Sequence, residues 1–133
     1  IAVAALNPHA GDNGKFGREE IDVLQPAIDA ARARQKNVTG PWPSDTVFLK
    51  AQRGEVDAVV TMYHDQGQIA IKLMGFDRGV TVAGGLPIPV ATPAHGTAFD
   101  IAGQRQANVG ATLQAFNLLT RMARNHRAAR AAA

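Results

Sequence analysis

Two histidines and their neighbours are the residues best suited to chemistry in this sequence. His9 lies in the segment Asn-Pro-His-Ala-Gly, and His64 lies in Tyr-His-Asp-Gln-Gly with Asp65 beside it. Imidazole nitrogens are preferred ligands of zinc-like divalent ions, which tolerate an open coordination position. Two histidines are too few for a complete site, and from their spacing alone loop histidines that hydrogen-bond to the backbone are the commoner explanation. The pattern leaves both interpretations open.

A second candidate is the stretch from His95 to Gly103, which reads His-Gly-Thr-Ala-Phe-Asp-Ile-Ala-Gly. Its small side chains would allow the backbone to approach a ligand closely. The stretch matches neither the dinucleotide-binding glycine pattern nor the Walker phosphate loop. The alternative is a turn that leads into a helix, with Thr97 or Asp100 as its cap.

Two charged residues also have a functional and a structural interpretation. Lys72 is either a cation that binds substrate or transfers a proton, or a lysine on a solvated helix face. Asp45 either orients a hydroxyl group or caps the helix that follows it.

The elements that must position these residues alternate between strand and helix. Apolar runs at residues 1–6 and Asp57–Met62 predict buried strands, and each run ends just before a candidate histidine. Because ligands gather at the carboxyl ends of parallel strands, both histidines are expected at one sheet edge. The remaining strand and loop predictions are an extended piece at Val38–Pro43, a strand at Val80–Ala83, a loop at Asn7–Gly17 and a proline-broken segment from Gly84 to His95.

Helices are predicted between these strands, from apolar spacing and from capping residues. They cover Ile21–Ala31, Thr46–Arg53, Gly67–Met74 and a final stretch with the stripe Val109, Leu113, Phe116 and Leu119. The first is expected to bend near Pro26, and Glu19 and Glu20 suit the dipole of its first turn. The alternation predicts an α/β fold with a mainly parallel sheet flanked by helices.

Composition narrows the class of protein. A length of 133 residues allows one compact α/β unit, and 46% hydrophobic with 19% charged residues argues against disorder. The apolar runs are too short to cross a bilayer, so no membrane partner is expected. The absence of cysteine excludes thiolate metal ligands and suits a cytoplasmic location. Because the chain opens on an apolar strand with no initiator Met, we expect a C-terminal fragment of a longer protein.

The formal net charge of +3 is concentrated at the C-terminal end. Four arginines lie there: Arg121, Arg124, Arg127 and Arg130. This distribution predicts a near-neutral main region at 1–120 and a basic Ala/Arg-rich tail at 121–133. With only 5% aromatic residues available to stack on bases, nucleic-acid binding is not expected.

Four motifs, in order, resemble one enzyme family. They are Asn7–Gly11, Gly40–Thr46, Tyr63–Gly67 and His95–Gly103. The chain is similar to the C-terminal half of the 4-hydroxythreonine-4-phosphate dehydrogenase family, PdxA. The last motif also resembles the isocitrate and isopropylmalate dehydrogenase fold, which is therefore the expected architecture. On this resemblance, residues 1–120 are the C-terminal part of a catalytic region.

The resemblance implies a metal- and NAD-dependent (or NADP-dependent) dehydrogenase that oxidises and decarboxylates 4-hydroxythreonine 4-phosphate in pyridoxal phosphate biosynthesis. A divalent ion, with Zn preferred over Mg or Co, would lower the pKa of the substrate hydroxyl while hydride passes to the nicotinamide. The resemblance makes His9 and His64 metal ligands and places a third histidine in the missing half. It also implies a homodimer that shares the site, so the isolated fragment is expected to be inactive.

The same resemblance gives roles to the other candidates. Asp45 and Asp65 would flank the substrate and metal, and Lys72 would contact the substrate. The adenosine end of the dinucleotide would be held by His95, Gly96, Thr97, Ala98, Asp100 and Asn108.

Two positions depart from the family pattern. Thr81 stands where the family usually has Asn, and Val90 stands where it usually has Arg. A valine cannot replace the bidentate pairing of an arginine with a carboxylate or phosphate. A dehydrogenase that acts on another hydroxy acid or on an aromatic cis-dihydrodiol is therefore one alternative, and a non-catalytic dimerisation module is another.

Overall fold

The computed structural model describes residues 1–34 and 36–131 and forms two compact units. The first unit is Ile1–Ala70, and the second runs from Ile71 to the end of the described chain. The boundary falls inside helix α3, which spans His64–Gly75.

The first unit is built on a three-stranded parallel sheet with the strand order β2-β1-β3. The strands are β1 (Ala2–Ala4), β2 (Thr39–Trp42) and β3 (Val59–Val60). Ala2 pairs with Thr39 on one side and with Val59 on the other. All three residues of β1 are buried, as expected for the central strand of a parallel sheet covered on both faces. The predicted strands are confirmed, although each is shorter than its apolar run.

Helices cover this sheet and enclose two small apolar clusters. A π-helical turn at Glu20–Leu24 runs directly into α1 (Gln25–Ala33), and α2 spans Val47–Gln52. Ile28 of α1 packs with Val3 and Val38, whereas Val47 of α2 packs with Ala2 and Ala4. The π-helical turn ends just before Pro26, where a bend was predicted. Pro26 lies in the first turn of α1, a position at which proline loses no internal hydrogen bond.

Two predictions about helix starts in this unit are wrong. Thr46 precedes α2 and no side chain caps that helix, so Asp45 is not its cap. Helix α3 begins at His64 rather than at Gly67, so His64 and Asp65 lie in its first turn instead of in a loop.

The second unit contains an antiparallel hairpin and a long helix. Strand β4 (Val80–Ala83) is confirmed, and it pairs with β5 (Val90–Pro93), which lies in the segment predicted to be broken by prolines. That prediction is wrong for β5, since proline is tolerated at the edges of sheets and Pro93 ends the strand opposite Val80. Helix α4 (Gly110–Ala131) packs against both strands and confirms the predicted last helix.

Helix α4 also continues through most of the predicted basic tail. Residues 121–131 are helical, while residues 132 and 133 and the side chain of Arg130 lie outside the described part. In the ranges described, no helix is both long enough and apolar enough to cross a membrane.

Candidate functional site

His9 lies in a left-handed turn that follows β1. Six consecutive residues, His9–Gly14, have positive φ, with values of 52° for His9 and 53° for Ala10. This conformation costs about 1–2 kcal/mol for each residue that carries a Cβ, whereas Gly11 and Gly14 adopt it freely. Two backbone hydrogen bonds close the far end, from Lys15 N–H to Asp12 C=O at 3.3 Å and from Phe16 N–H to Gly11 C=O at 3.1 Å. The predicted loop is therefore an ordered turn that fixes the backbone of His9.

A buried carboxylate contacts the start of this turn. Glu20 is 3% exposed, and its Oε1 accepts hydrogen bonds from the backbone N–H groups of Leu6 at 2.8 Å and Asn7 at 2.7 Å. Its Oε2 accepts a hydrogen bond from the side-chain amide of Asn7 at 2.9 Å. Burial raises the pKa of Glu20, but these hydrogen bonds outweigh burial and leave the pKa below its ordinary value. Sequence reasoning assigned Glu20 only to a helix dipole and missed this role.

Gln66 joins the ends of β1 and β3. Its side-chain Nε2 donates to Ala5 C=O at 2.8 Å, and the Met62 N–H donates to its Oε1 at 2.8 Å. The side chain is buried, and both strands end where the candidate histidine segments begin. Gln66 therefore fixes the spacing of those two segments. The motif Tyr-His-Asp-Gln-Gly contains this residue, but no pattern in the motif indicates that its side chain is buried.

A cavity in the first unit brings two of the predicted site residues together. It has a volume of about 260 Å³ and is lined by Leu6, Pro8, His9, Ser44, Asp45 and Tyr63. His9 and Asp45 therefore share one cavity. His64 does not line it, although its neighbour Tyr63 does. The exposed ring of His9 also lies near Phe16, with the ring centroids 6.0 Å apart.

His64 is the first residue of α3, and its side chain is 75% exposed. Its Nδ1 lies 2.8 Å from Oδ1 of Asp65, so a proton on Nδ1 leaves Nε2 free to bind a ligand. Within residues 1–34 and 36–131, no three His, Asp or Glu side chains gather closely enough to hold a metal ion. The two imidazoles have the donor chemistry that zinc prefers, but a complete ligand set would need further groups.

A cavity of about 380 Å³ in the second unit contains several predicted cofactor-binding residues. It is lined by Phe76, His95, Gly96, Ala98, Ile101, Ala107 and Asn108. A mainly apolar cavity with a few polar groups is typical of small-molecule sites. His95 Nδ1 lies 2.9 Å from Gly96 C=O, and Asn108 Oδ1 accepts a hydrogen bond from Gly110 N–H at 2.8 Å, at the start of α4.

The other predicted residues of this unit lie elsewhere. Thr97 and Asp100 do not line the cavity, and neither caps the short 3-10 helix Phe99–Ile101, which Ala98 precedes. The capping interpretation of these two residues is therefore wrong. Lys72 is exposed in the last turn of α3.

The two departures from the family pattern lie on the hairpin. Thr81 of β4 pairs with Thr92, and Val90 of β5 pairs with Ala83. Thr81 is exposed and Val90 is partly buried, so both positions are structurally defined but make no polar contact that identifies a ligand.

Comparisons with known proteins place this arrangement in a family. The family model described as "Pyridoxal phosphate biosynthetic protein PdxA" matches residues 1–119. A Pseudomonas aeruginosa protein, named provisionally as 4-hydroxythreonine-4-phosphate dehydrogenase 2, is 67% identical over 128 residues, which cover 94% of this chain and 38% of that protein. The D-threonate 4-phosphate dehydrogenase of Salmonella typhimurium is 59% identical over 102 residues, covering 77% of this chain and 31% of that protein.

A solved structure gives the same result for the fold. The crystal structure of 4-hydroxythreonine-4-phosphate dehydrogenase from Klebsiella pneumoniae matches with a TM-score of 0.78 and 50% identity, over 90% of this chain and 36% of that one. The chain therefore has an α/β fold, and the relatives that it matches are named as dehydrogenases. The chain belongs to the PdxA family. It spans less than two fifths of the length of the relatives it matches.

Proposed function

We propose that the protein containing this chain is a dehydrogenase that oxidises and decarboxylates 4-hydroxythreonine 4-phosphate with NAD (or NADP) and a divalent metal ion. One observation carries the proposal. In a chain of the PdxA family, the segments bearing His9 and His64 follow β1 and β3, which are adjacent parallel strands. The carboxyl edge of such a sheet is where α/β proteins bind ligands. The names of the relatives support the dehydrogenase activity.

His9 and His64 would hold the ion, together with ligands from outside this chain, either from the rest of the protein or from a second subunit of a homodimer. A bound zinc-like ion supplies Lewis-acid chemistry that lowers the pKa of a substrate hydroxyl. Asp45 lines the same cavity as His9 and would orient that hydroxyl. Asp65, 2.8 Å from Nδ1 of His64, would hold the imidazole in the orientation that frees Nε2.

The proposed reaction has two steps, an oxidation and a decarboxylation. In the first, the alcohol carbon would give up a hydride and the hydroxyl its proton, which would leave a β-keto acid; a bound nicotinamide would supply the hydride acceptor. In the second, the keto acid loses CO₂ and the carbon takes up a proton. Lys72 would bind an anionic group of the substrate, because a lysine ammonium is a compact point charge suited to phosphate or carboxylate.

The cavity in the second unit would receive the adenosine end of the cofactor. Its apolar lining suits an aromatic ring, and Gly96 and Ala98 leave backbone groups accessible to a ligand. Asn108 lines the cavity with its Oδ1 already bonded to Gly110 N–H, so its amide N–H₂ is the group it would offer.

A second candidate substrate is another phosphorylated hydroxy acid, such as D-threonate 4-phosphate. The 59% identity with a D-threonate 4-phosphate dehydrogenase favours it. Val90 is the second observation, since an aliphatic side chain on β5 cannot pair with an anionic group as an arginine would. The chemistry of oxidation would be shared by both substrates.

The test measures formation of NADH or NADPH by the full-length protein that contains this chain, with each phosphorylated substrate in turn. We expect activity that a chelator removes and Zn²⁺ restores. His9→Ala and His64→Ala should each lower kcat by at least about 100-fold, and His126→Ala on α4 is the matched control. An unchanged rate in both histidine variants would overturn the metal assignment, and turnover of neither substrate would overturn the proposed activity.

A further inference from the structure

We propose that Glu20 is a positioning residue whose carboxylate holds the left-handed turn that carries His9. This inference rests on the proposed function, in which His9 binds a metal ion. It concerns a residue that contacts neither His9 nor the cavity beside it, and it assigns to the π-helical turn at Glu20–Leu24 a part in shaping the site.

The turn needs a source of stabilisation. Four of its six positive-φ residues carry a side chain, which makes the conformation unfavourable by itself. Burial of the turn does not compensate, because His9 and Asn13 are exposed and Gly11 is the one buried residue of Pro8–Gly14. The two closing backbone hydrogen bonds hold Gly11 and Asp12, in the second half of the turn, and leave the segment before His9 without such a bond.

Glu20 supplies the contacts at the near end and in the middle. Its carboxylate accepts hydrogen bonds from Leu6 and Asn7, the residues that lead from β1 into the turn. Hydrogen bonds to an ionised acceptor are stronger than neutral ones. Gly11 packs directly on the same carboxylate, since a Cβ built on Gly11 would lie 2.7 Å from Oε2 of Glu20. One buried side chain therefore touches two points of the turn that flank His9.

Glu19 offers a matched comparison. It precedes Glu20, is exposed, and contacts the turn through its Oε2 and the side-chain amide of Asn7 at 2.6 Å. If any nearby carboxylate were sufficient, the two residues would be equivalent. The structure instead gives the backbone contacts to Glu20.

The experiment compares Glu20→Gln with Glu19→Gln in the full-length protein. Glutamine keeps one oxygen for the Leu6 and Asn7 N–H groups, but it loses the charge and turns an N–H₂ group toward the side-chain amide of Asn7. We therefore expect the amides of Leu6 and Asn7 to exchange with solvent at least about tenfold faster and the NMR signals of residues 9–13 to shift. Glu19→Gln should change these exchange rates less than about twofold. Adding Ala10→Gly should partly reverse the effect of Glu20→Gln, because glycine adopts positive φ freely.

Titration with Zn²⁺ alone tests the consequence for His9. Loss of a group that orients a metal ligand typically weakens affinity by about 10–100-fold, and we expect this for Glu20→Gln, with partial recovery in the variant that also carries Ala10→Gly. If the unmodified protein binds no Zn²⁺, the proposed metal site fails, while the NMR comparison still decides the role of Glu20.

Unchanged exchange rates and unchanged signals of residues 9–13 in Glu20→Gln would overturn the inference. So would a loss of Zn²⁺ affinity that Ala10→Gly does not recover at all. Should Glu20→Gln fail to fold, Glu20→Asp keeps the charge but withdraws it by one methylene, and the same measurements and the same rescue apply to it.

Discussion

The two units of this chain differ in how much of their apolar surface they bury. In the first unit two clusters enclose side chains such as Ile28 and Val47, and both buried polar side chains among the described residues, Glu20 and Gln66, also lie there. In the second unit Leu73 is 84% exposed and Phe99 is 83% exposed, while the buried hydrophobic residues of α4 are Ala111 and Ala115. The first unit therefore buries branched apolar side chains such as Ile28 and Val47, whereas the buried hydrophobic residues in the described part of the second unit are the two alanines of α4.

One isoleucine-to-alanine substitution in each unit tests this difference in burial. Ile28→Ala removes a side chain that is 3% exposed and should lower the free energy of unfolding by about 2–5 kcal/mol. Ile88→Ala removes one that is 66% exposed and should change it by less than about 0.5 kcal/mol. Urea unfolding followed by the fluorescence of Trp42, the single tryptophan, reports on the first unit. Amide hydrogen exchange of β4 and β5 reports on the second, and equal losses in the two units would contradict the comparison.

Two glutamines, one buried in the first unit and one exposed in the second, test the same difference for polar contacts. Gln66→Leu leaves Ala5 C=O and Met62 N–H without this partner in a buried site, which should cost about 1–3 kcal/mol in the free energy of unfolding. Gln104→Leu removes an exposed hydrogen bond from Nε2 to Asp100 C=O at 2.7 Å and should cost less than about 0.5 kcal/mol. The same two measurements apply, and a similar loss in both variants would show that burial is not what gives Gln66 its importance.

The smallest expected effect is a dependence of the first unit on pH. Because the pKa of Glu20 is lowered in the folded protein, its ionised form stabilises the fold at neutral pH. This contribution should be lost as the pH falls below the ordinary carboxylate value of about 4 and through the lowered pKa. It is small since burial opposes the hydrogen bonds that lower the pKa.

The difference in unfolding free energy between the unmodified chain and Glu20→Gln, measured by Trp42 fluorescence, should therefore shrink from pH 7 toward acid. Glu19→Gln, next to it and exposed, should follow the unmodified chain over the same range. A difference that stays constant with pH would contradict this assignment.

Sequence patterns predicted the parts of the fold that follow from continuous apolar character. The runs at residues 1–6 and Asp57–Met62 predicted β1 and β3, and the apolar stripe from Val109 predicted α4. Strand β5 was missed because Pro89 and Pro93 indicate a broken segment, and nothing local shows that an edge position removes the penalty. The α/β class was predicted, but the antiparallel pairing of β4 depended on that missed strand.

The parts of the candidate site that were predicted are those that directly follow the ends of strands. His9 and His64 were expected at one edge because each follows a predicted parallel strand, and the two strands, β1 and β3, are adjacent. The left-handed turn was not predicted, although His9, Asp12 and Asn13 are of the types that tolerate positive φ; Ala10, in the middle of the run, gives no such signal. Glu20 was misjudged for a related reason, since an acidic residue at a helix start usually faces solvent and only the folded chain reveals its backbone partners.

Gln66 has one more consequence for the geometry of the sheet. Ala2 pairs with Val59 and Val3 with Val60, so two further steps along the same register set Ala5 opposite Met62. At that step the two main chains do not bond to each other; the glutamine amide stands between them and presents one oxygen and one N–H₂, as a peptide group would. The side chain thus links the two chains one residue before Leu6 and one residue before Tyr63. Both of these residues line the cavity beside His9, so a single glutamine positions one wall residue from each strand end.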